Sequence, residues 1–322
     1  MYLAPEGEEL EIANAAAEFI ADALPIERLH RPGNCDLTQD VRANLAKMGW
    51  FSLALPEVRG GSGLSAVEHA LFFREIGRQC GPIDILAQAL AANLAGDDIR
   101  EPLTSGVVGV ALLAADGIQH RVIGAADANY GLLVSPEGAS LHDLSAAHVD
   151  PRPALDPANS LGVLADLPAP VATTDGPHLW RLGQVGTAAM LVGLAEAALA
   201  LIVEYAKVRE TFGRAIGSYQ AVRHTCADMA VSIEAARAQL WYAATAMKEG
   251  RADATAHLDA AKHLANEAAL RCTDSNIQLH GGIGVTDEHD AHLLMKHAAL
   301  LSRLFGLRNQ LLAGLLHAQL ED

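Results

Sequence analysis

The chain has 322 residues, with 23 Lys and Arg against 39 Asp and Glu, and its net charge of −16 excludes a polyanion partner such as nucleic acid, which needs clustered cations. Hydrophobic residues make up 51% and charged residues 19%, so the chain is not disordered and is long enough to bury a sizeable core. Aromatics are only 4%, which leaves Ala, Leu and Val to fill that core, and small aliphatic side chains favour close helix packing.

The first residues, MYLAPEGEELEIA, are acidic and lack a basic stretch followed by an apolar run, so no secretory signal is expected. Leu10, Ala13, Ala17, Ile20 and Leu24 fall at helical spacing and predict a helix over 8–24. Leu37, Val41, Leu45 and Met48 do the same over 36–48. A loop over 55–64 follows, with the run Arg59-Gly60-Gly61-Ser62-Gly63. Ser65 is a predicted N-cap, with Glu68 at the capping-box position, for a helix reaching Arg78. Gly81-Pro82 ends it, and another helix is predicted over 85–94.

From 101 to about 177 the texture changes. Short apolar runs at 107–113, 121–123, 130–134 and 139–142 read as strands separated by Gly, Asp, Pro and Asn. Pro151, Pro153, Pro157, Pro168 and Pro170 break up the remainder, so the region reads as a small β unit with long connections. Residues 178–322 return to helices, predicted over 179–210, 219–249, 251–280 and 291–317. Four long helices with short connections predict an antiparallel bundle. The organisation is thus mainly α: a helical domain over 1–100, a truncated β domain over 101–177 and a four-helix bundle over 178–322.

Residues 187–206 have the length of a bilayer span, but Glu196 lies in their middle, and a buried bundle helix is the reading taken. Cys35, Cys80, Cys226 and Cys272 are far apart with no C-x-x-C, which predicts neither a zinc site nor a disulfide framework. They read as small buried hydrophobes of a reducing, cytoplasmic compartment.

Three separated segments, in order, resemble the acyl-CoA dehydrogenase family. Residues 48–82 (MGWFSLALPEVRGGSGLSAVEHALFFREIGRQCGP) resemble its N-terminal helical domain. Residues 208–237 (VRETFGRAIGSYQAVRHTCADMAVSIEAAR) are similar to its R-x-x-F-G-x-x-I segment and the helix after it, and 277–286 (IQLHGGIGVT) to its Q-x-H-G-G-x-G-x-T turn. The resemblance covers most of the chain except about 115–175. It implies a helical domain, a central β domain and a C-terminal bundle. It implies an FAD-dependent α,β-dehydrogenation of an acyl-CoA, in which a carboxylate takes the Cα proton while the Cβ hydride moves to the flavin. It also implies that the nucleotide end of FAD is held by a neighbouring subunit's bundle.

On this resemblance Arg209 matches the arginine that approaches the pyrophosphate, and Phe212 the aromatic beside the adenine. Gln278 matches the glutamine bonded to the ADP part, and Gly281 and Gly282 the turn that approaches the cofactor closely. Taken singly, Arg209 is equally a solvated helix-end cation, Phe212 a core plug, Gln278 a solvated amide and the glycine pair a helix C-cap.

The resemblance also has gaps. The family's T-E-P-G-A-G-S-like segment is replaced by Leu112-Leu113-Ala114-Ala115-Asp116-Gly117, and its aromatic-I-T-N segment is missing. Phe305 falls at the catalytic glutamate position of many members. Gly183 falls at the alternative glutamate position, with Gln184 where many relatives have arginine. No catalytic residue is therefore assigned. Asp287, Glu288 and Asp290 read as a surface loop, with a substitute base as the minor alternative. His289, His292 and His297 read as a solvated helix face rather than a metal site.

The pattern implies a subunit that grips FAD for a homologous, fuller acyl-CoA dehydrogenase in an α2β2 heterotetramer, the acyl-CoA being held mainly by the partner. Such pairs occur in bacterial steroid side-chain degradation, so a bulky steroid side-chain thioester enters by analogy. Two other readings stay open: a flavin-free scaffold on the same fold, and an autonomous homotetrameric dehydrogenase with an unrecognised base.

Overall fold

The computed structural model describes residues 5–31, 37–115, 117, 119–124 and 128–320; Cys35 and the expected helix start at 36 lie outside them. Five helices come first: α1 (Glu8–Ala23), α2 (Gln39–Lys47), α3 (Ala66–Arg78), α4 (Asp84–Leu94) and α5 (Asp97–Thr104). The capping box forms as the sequence predicts. Ser65 Oγ accepts from the Val67 N–H at 3.1 Å, and Glu68 Oε2 accepts from the Ser65 N–H at 2.8 Å. Helix α5, not expected from the sequence, crosses the predicted boundary at residue 100.

The central region is small but builds one seven-stranded sheet. Its strands are β1 (Val110–Ala115), β2 (His120–Gly124), β3 (Tyr130–Ser135), β4 (Gly138–Asp143), β5 (Asp150–Arg152), β6 (Ser160–Leu164) and β7 (Pro170–Asp175), in the order β5-β6-β2-β1-β3-β4-β7. Only β1 and β3 run parallel among these pairs. The first four match the predicted strands, while the last three lie in the proline-rich stretch read as connections. Pro151 and Pro170 sit on the two edge strands, where a missing N–H breaks no ladder.

The C-terminal part holds α6 (His178–Val208), a β8–β9 hairpin (Glu210–Thr211 and Arg214–Ala215), α7 (Gln220–Lys248), α8 (Ala254–His280), α9 (Ala291–Leu301) and α10 (Arg308–Leu320). The single helix predicted over 291–317 is corrected to two. Phe305 at φ 54 and Gly306 at φ 125 cannot continue a right-handed helix. Helix α6 is long and apolar enough to cross a membrane by composition, yet 72% of its most apolar window is buried inside the molecule.

Glycines decide how α6 meets α3. A Cβ on Gly77 would overlap the Met190 carbonyl, and a Cβ on Gly193 would overlap the Arg74 carbonyl, so each helix lends the other a bare backbone. The charge within α6 is also explained. Glu196 is half-buried and pairs with Arg78, with Arg74 Nε at 3.3 Å and with Arg237 Nη1 at 3.4 Å, joining α3, α6 and α7. Cys80 and Cys272 are buried free thiols as expected, and Cys226 is half-buried.

Candidate functional site

Helix α6 stops at Val208, and Arg209 turns extended (φ −74, ψ 124). The next residues form a hairpin whose two-residue turn is Phe212-Gly213, at φ 50 and φ 78. Two positive φ values make the mirror-image turn that matches strand twist. Gly213 adopts it freely, whereas Phe212 adopts it at a steric cost. The hairpin is braced from below. The Tyr219 hydroxyl donates to the Thr211 carbonyl at 2.9 Å, the Arg214 guanidinium lies 4.0 Å over the Tyr219 ring, and the Ile216 N–H donates to the Arg209 carbonyl at 2.8 Å. Phe212 is 99% exposed. The reading of this residue as a core plug is therefore excluded.

Helices α6 and α8 run side by side in the same direction. Gln184 Nε2 near the start of α6 donates to Asp259 Oδ1 near the start of α8 at 2.9 Å. At the other end the Tyr205 ring lies 4.4 Å from the His280 ring, which lies 4.3 Å from His289. This stack places the end of α6, with its hairpin, beside the end of α8. Arg209, Phe212, Gln278, Gly281 and Gly282 thus share one end of the bundle, and all five are exposed. Gly281 has φ 67, and a Cβ on Gly281 or Gly282 would meet nothing in the chain within 4 Å. The turn is open to an incoming group, as close backbone approach requires. A guanidinium for phosphate, an aromatic face, a side-chain amide and a bare backbone turn fit the ADP half of FAD. Exposed Val208, Ile283 and Val285 flank them.

The histidines here are not a solvated face. His292 is 8% exposed and His297 0%, which corrects the expectation from spacing. Both lie on α9 where it packs inward. His297 Nδ1 lies 2.7 Å from Asp156 Oδ2. Burial works against the Asp156 charge, but His297, the Ala158 N–H and Asn159 together hold its carboxyl below the usual range. Among the described residues no group of three or more His, Cys, Asp or Glu is placed to hold a metal. In the acidic run 287–290 the Asp290 carboxylate is paired, while Asp287 and Glu288 are exposed, as a surface loop expects. His30 Nε2 bonds Asp290 at 2.6 Å, and His30 Nδ1 bonds the Asp287 carbonyl at 2.8 Å.

The two positions where the resemblance implies a base come together. Phe305 is 5% exposed, and its ring lies so close over Gly183 that a Cβ there would overlap it. The Trp180 ring is 5.5 Å away. One aromatic thus occupies the space that either glutamate would use, and neither Phe305 nor Gly183 can accept a proton. Gln184 is buried and engaged with Asp259. The Phe305 ring forms a wall of a cleft of about 640 Å³ between the ends of β1, β3, β4 and β7 and the segment joining α9 to α10. The cleft is mostly apolar, through Leu113, Ala139, Trp180 and Leu304, and its carboxylates, Glu137 and Asp175, are exposed.

Two family comparisons agree with this architecture. Residues 6–101 match the acyl-CoA dehydrogenase N-terminal domain, and residues 181–316 match the acyl-CoA dehydrogenase C-terminal domain. The chain belongs to the acyl-CoA dehydrogenase family. It is 34% identical over 259 residues to acyl-CoA dehydrogenase IpdE2 of Mycobacterium tuberculosis, covering 78% of this chain and 77% of that protein. It is also 34% identical over 307 residues to acyl-CoA dehydrogenase FadE34 of the same organism, covering 89% of this chain but only 43% of FadE34. The ChsE4-ChsE5 complex from M. tuberculosis contains a chain of the same fold, with a TM-score of 0.82, 21% identity and full coverage of both chains.

The sequence singled out the exposed cluster but not the brace beneath it. Arg214 and Tyr219 lie within the quoted motif, and an Arg five residues before a Tyr at a helix start was the available signal.

Proposed function

We propose that this chain is a subunit of a heteromeric FAD-dependent acyl-CoA dehydrogenase, possessing no catalytic base of its own. In this reading Arg209, Phe212, Gln278, Gly281 and Gly282 hold the ADP half of an FAD whose ring lies on a homologous, fuller partner, in an α2β2 assembly. The flavin supplies hydride acceptance from the acyl Cβ. This chain orients the nucleotide: Arg209 neutralises phosphate charge, Phe212 covers the adenine, and the glycine turn lets backbone approach. The partner supplies the base and holds most of the acyl-CoA. The carrying observation is a pairing: Arg209, Phe212, Gln278, Gly281 and Gly282 exposed together at one end of the bundle, in a chain whose two base positions are filled by Phe305 against Gly183. The two-protein ChsE4-ChsE5 complex supports the heteromeric arrangement. A steroid side-chain thioester is the substrate class proposed by analogy.

The test is purification alone and after co-expression with a candidate partner dehydrogenase. Alone, the chain should be colourless and poorly soluble. Together, the complex should carry one FAD per heterodimer, and Arg209→Ala should weaken FAD retention at least about tenfold, a loss of roughly 1.4 kcal/mol. Stoichiometric FAD and turnover in the chain alone would establish an autonomous dehydrogenase. Undiminished FAD affinity in Arg209→Ala would remove the grip and favour the flavin-free scaffold.

A further inference from the structure

The turn that carries Gly281 and Gly282 rests on two touching imidazoles whose protons are fixed by hydrogen bonds. His280, the last residue of α8, is 5% exposed. Its Nδ1 lies 2.7 Å from the Asn276 carbonyl oxygen, which only accepts, so Nδ1 carries the proton. Its Nε2 then holds a lone pair, buried with no hydrogen-bond partner among the described residues. His289 holds the other tautomer. The Ala291 N–H donates to its Nδ1 at 3.1 Å, which caps the first residue of α9. The two ring centroids are 4.3 Å apart, and the Tyr205 ring lies 4.4 Å from His280. The turn folds directly onto this stack, since a Cβ on Gly284 would stand 3.0 Å from the His280 Cβ.

Neither ring can take a second proton and keep this arrangement. On His280 the proton would enter at Nε2, with no acceptor and with its charge set against a second imidazole. The Tyr205 face offers such a cation only modest stabilisation. On His289 the proton would enter at Nδ1 and remove the acceptor from the Ala291 N–H. It would also put a positive charge at the N-terminus of α9, already the positive end of that helix. The surrounding charges do not offset this. Asp290 is taken by His30 at 2.6 Å, Asp287 and Glu288 are exposed, and Lys296 on α9 adds positive charge beside His292. Burial is the main cause that pushes both imidazoles below the ordinary histidine range. His289 adds to it at His280, and His30 adds to it at His289 against the pull of Asp290. Each ring of the pair therefore contributes stability that is whole above about pH 6.5 and is lost progressively as pH falls below it, the reverse of His30.

We propose that the His280–His289 pair is a proton-operated release of the nucleotide-holding turn. Neutral, the pair holds Gly281 and Gly282 against the end of α8. Protonated on either ring, it parts the turn from the start of α9 and lets the ADP group go. This inference rests on the FAD reading above and adds a regulation to it.

The test uses the FAD-loaded complex and the double variant His280→Asn/His289→Asn. Its side-chain amides keep a donor for the Asn276 carbonyl and an acceptor for the Ala291 N–H but do not titrate. Two quantities are followed from about pH 7.5 to about pH 5.5: FAD retention by flavin fluorescence, and amide exchange over 281–293, corrected for the intrinsic effect of pH. In the parent, retention should weaken at least about fivefold and the segment should lose protection over the same interval, whereas both should change less than about twofold in the double variant. The variant carries any general effect of acid, so the comparison isolates the pair. If the variant fails to fold, the parent's exchange profile decides, because protection over 281–293 must fall ahead of that in α6. The proposal is overturned if protection over 281–293 holds across the interval, if retention is unchanged or tightens as pH falls, or if a folded double variant loses FAD as the parent does. Arg209→Ala at the upper pH separates the two readings. Weakened retention there with a flat pH response in the parent overturns the release alone, and undiminished retention overturns the grip and the release with it.

Discussion

Phe212 carries a backbone cost that no packing of its exposed ring offsets. Its left-handed backbone is costly for a bulky L-residue, and asparagine tolerates that conformation better. Phe212→Asn should therefore raise the stability of the isolated chain, by about 0.5–1 kcal/mol, measured by urea unfolding. The same variant should weaken FAD retention by the complex. A stability gain without that loss would assign the ring no role at the nucleotide. Lys262 carries a cost of a different kind. It is fully buried on α8, its Nζ 2.7 Å from Asn266 Oδ1 and 3.1 Å from the Leu301 carbonyl at the end of α9, and burial lowers its pKa to about 7. Its unfolded value is higher, so between about pH 7 and 10 the unfolded chain binds the extra proton and stability rises with pH. The slope should reach about 1.4 kcal/mol per pH unit and vanish in Lys262→Met, as read from unfolding midpoints at two pH values. The sequence identified Arg209, Phe212, Gln278 and the glycine pair because they form local motifs. It placed Lys262 nowhere special, because burial of a lysine is decided by contacts such as that with Leu301, 39 residues further along the chain.

At the scale of elements, the joint of α3 and α6 is set by Gly77 and Gly193. Alanine at either should push the helices apart and lower stability by several kcal/mol, about the cost of overpacking or more. Glu196→Gln should cost about 1–2 kcal/mol, because Arg74, Arg78 and Arg237 lose a shared, half-buried counter-charge but keep partial solvation and Glu75 and Glu234. Both effects are measurable as melting-temperature shifts. Phe305→Glu is the complementary case. It places a carboxylate over Gly183 and beside Trp180, so the chain alone should gain no dehydrogenase activity and should lose stability, since an unpaired carboxylate replaces packed rings. Elements with local signals were legible: the capping box of α3, the apolar face of α1, the short apolar runs of β1 to β4. The strands β5 to β7 were not, because their prolines look like breakers until the strands are known to be edges or their neighbours. The split between α9 and α10 had only Gly306 to announce it.

At the scale of the whole molecule, a few polar contacts stitch the three parts together. His297 on α9 reaches Asp156 in the β5–β6 connection, Asn159 Oδ1 accepts from the Ile83 N–H at 2.8 Å beside α4, and His30 holds Asp290. These pairs join residues as far as 260 apart and leave no mark in local sequence, which is why the domain order was readable and the seams were not. The hydrogen bond to Asp290 raises the His30 pKa despite partial burial. A raised folded pKa gives stability that is present below the unfolded value, about 6.5, and is lost as pH rises through the folded value. The melting-temperature difference between the parent and His30→Gln should thus be larger at pH 5.5 than at pH 8, approximate values on either side of that titration.

The bare phenyl group at the tip of the β8–β9 hairpin has a consequence for cellular supply. A copy that finds no mate keeps that side chain in water beside Val208, Ile283 and Val285, the sort of greasy display on which chaperones and proteases act. In the heteromeric assembly proposed above, surplus copies would be cleared, and assembly would set the surviving ratio of the two polypeptides without any matching of their synthesis rates.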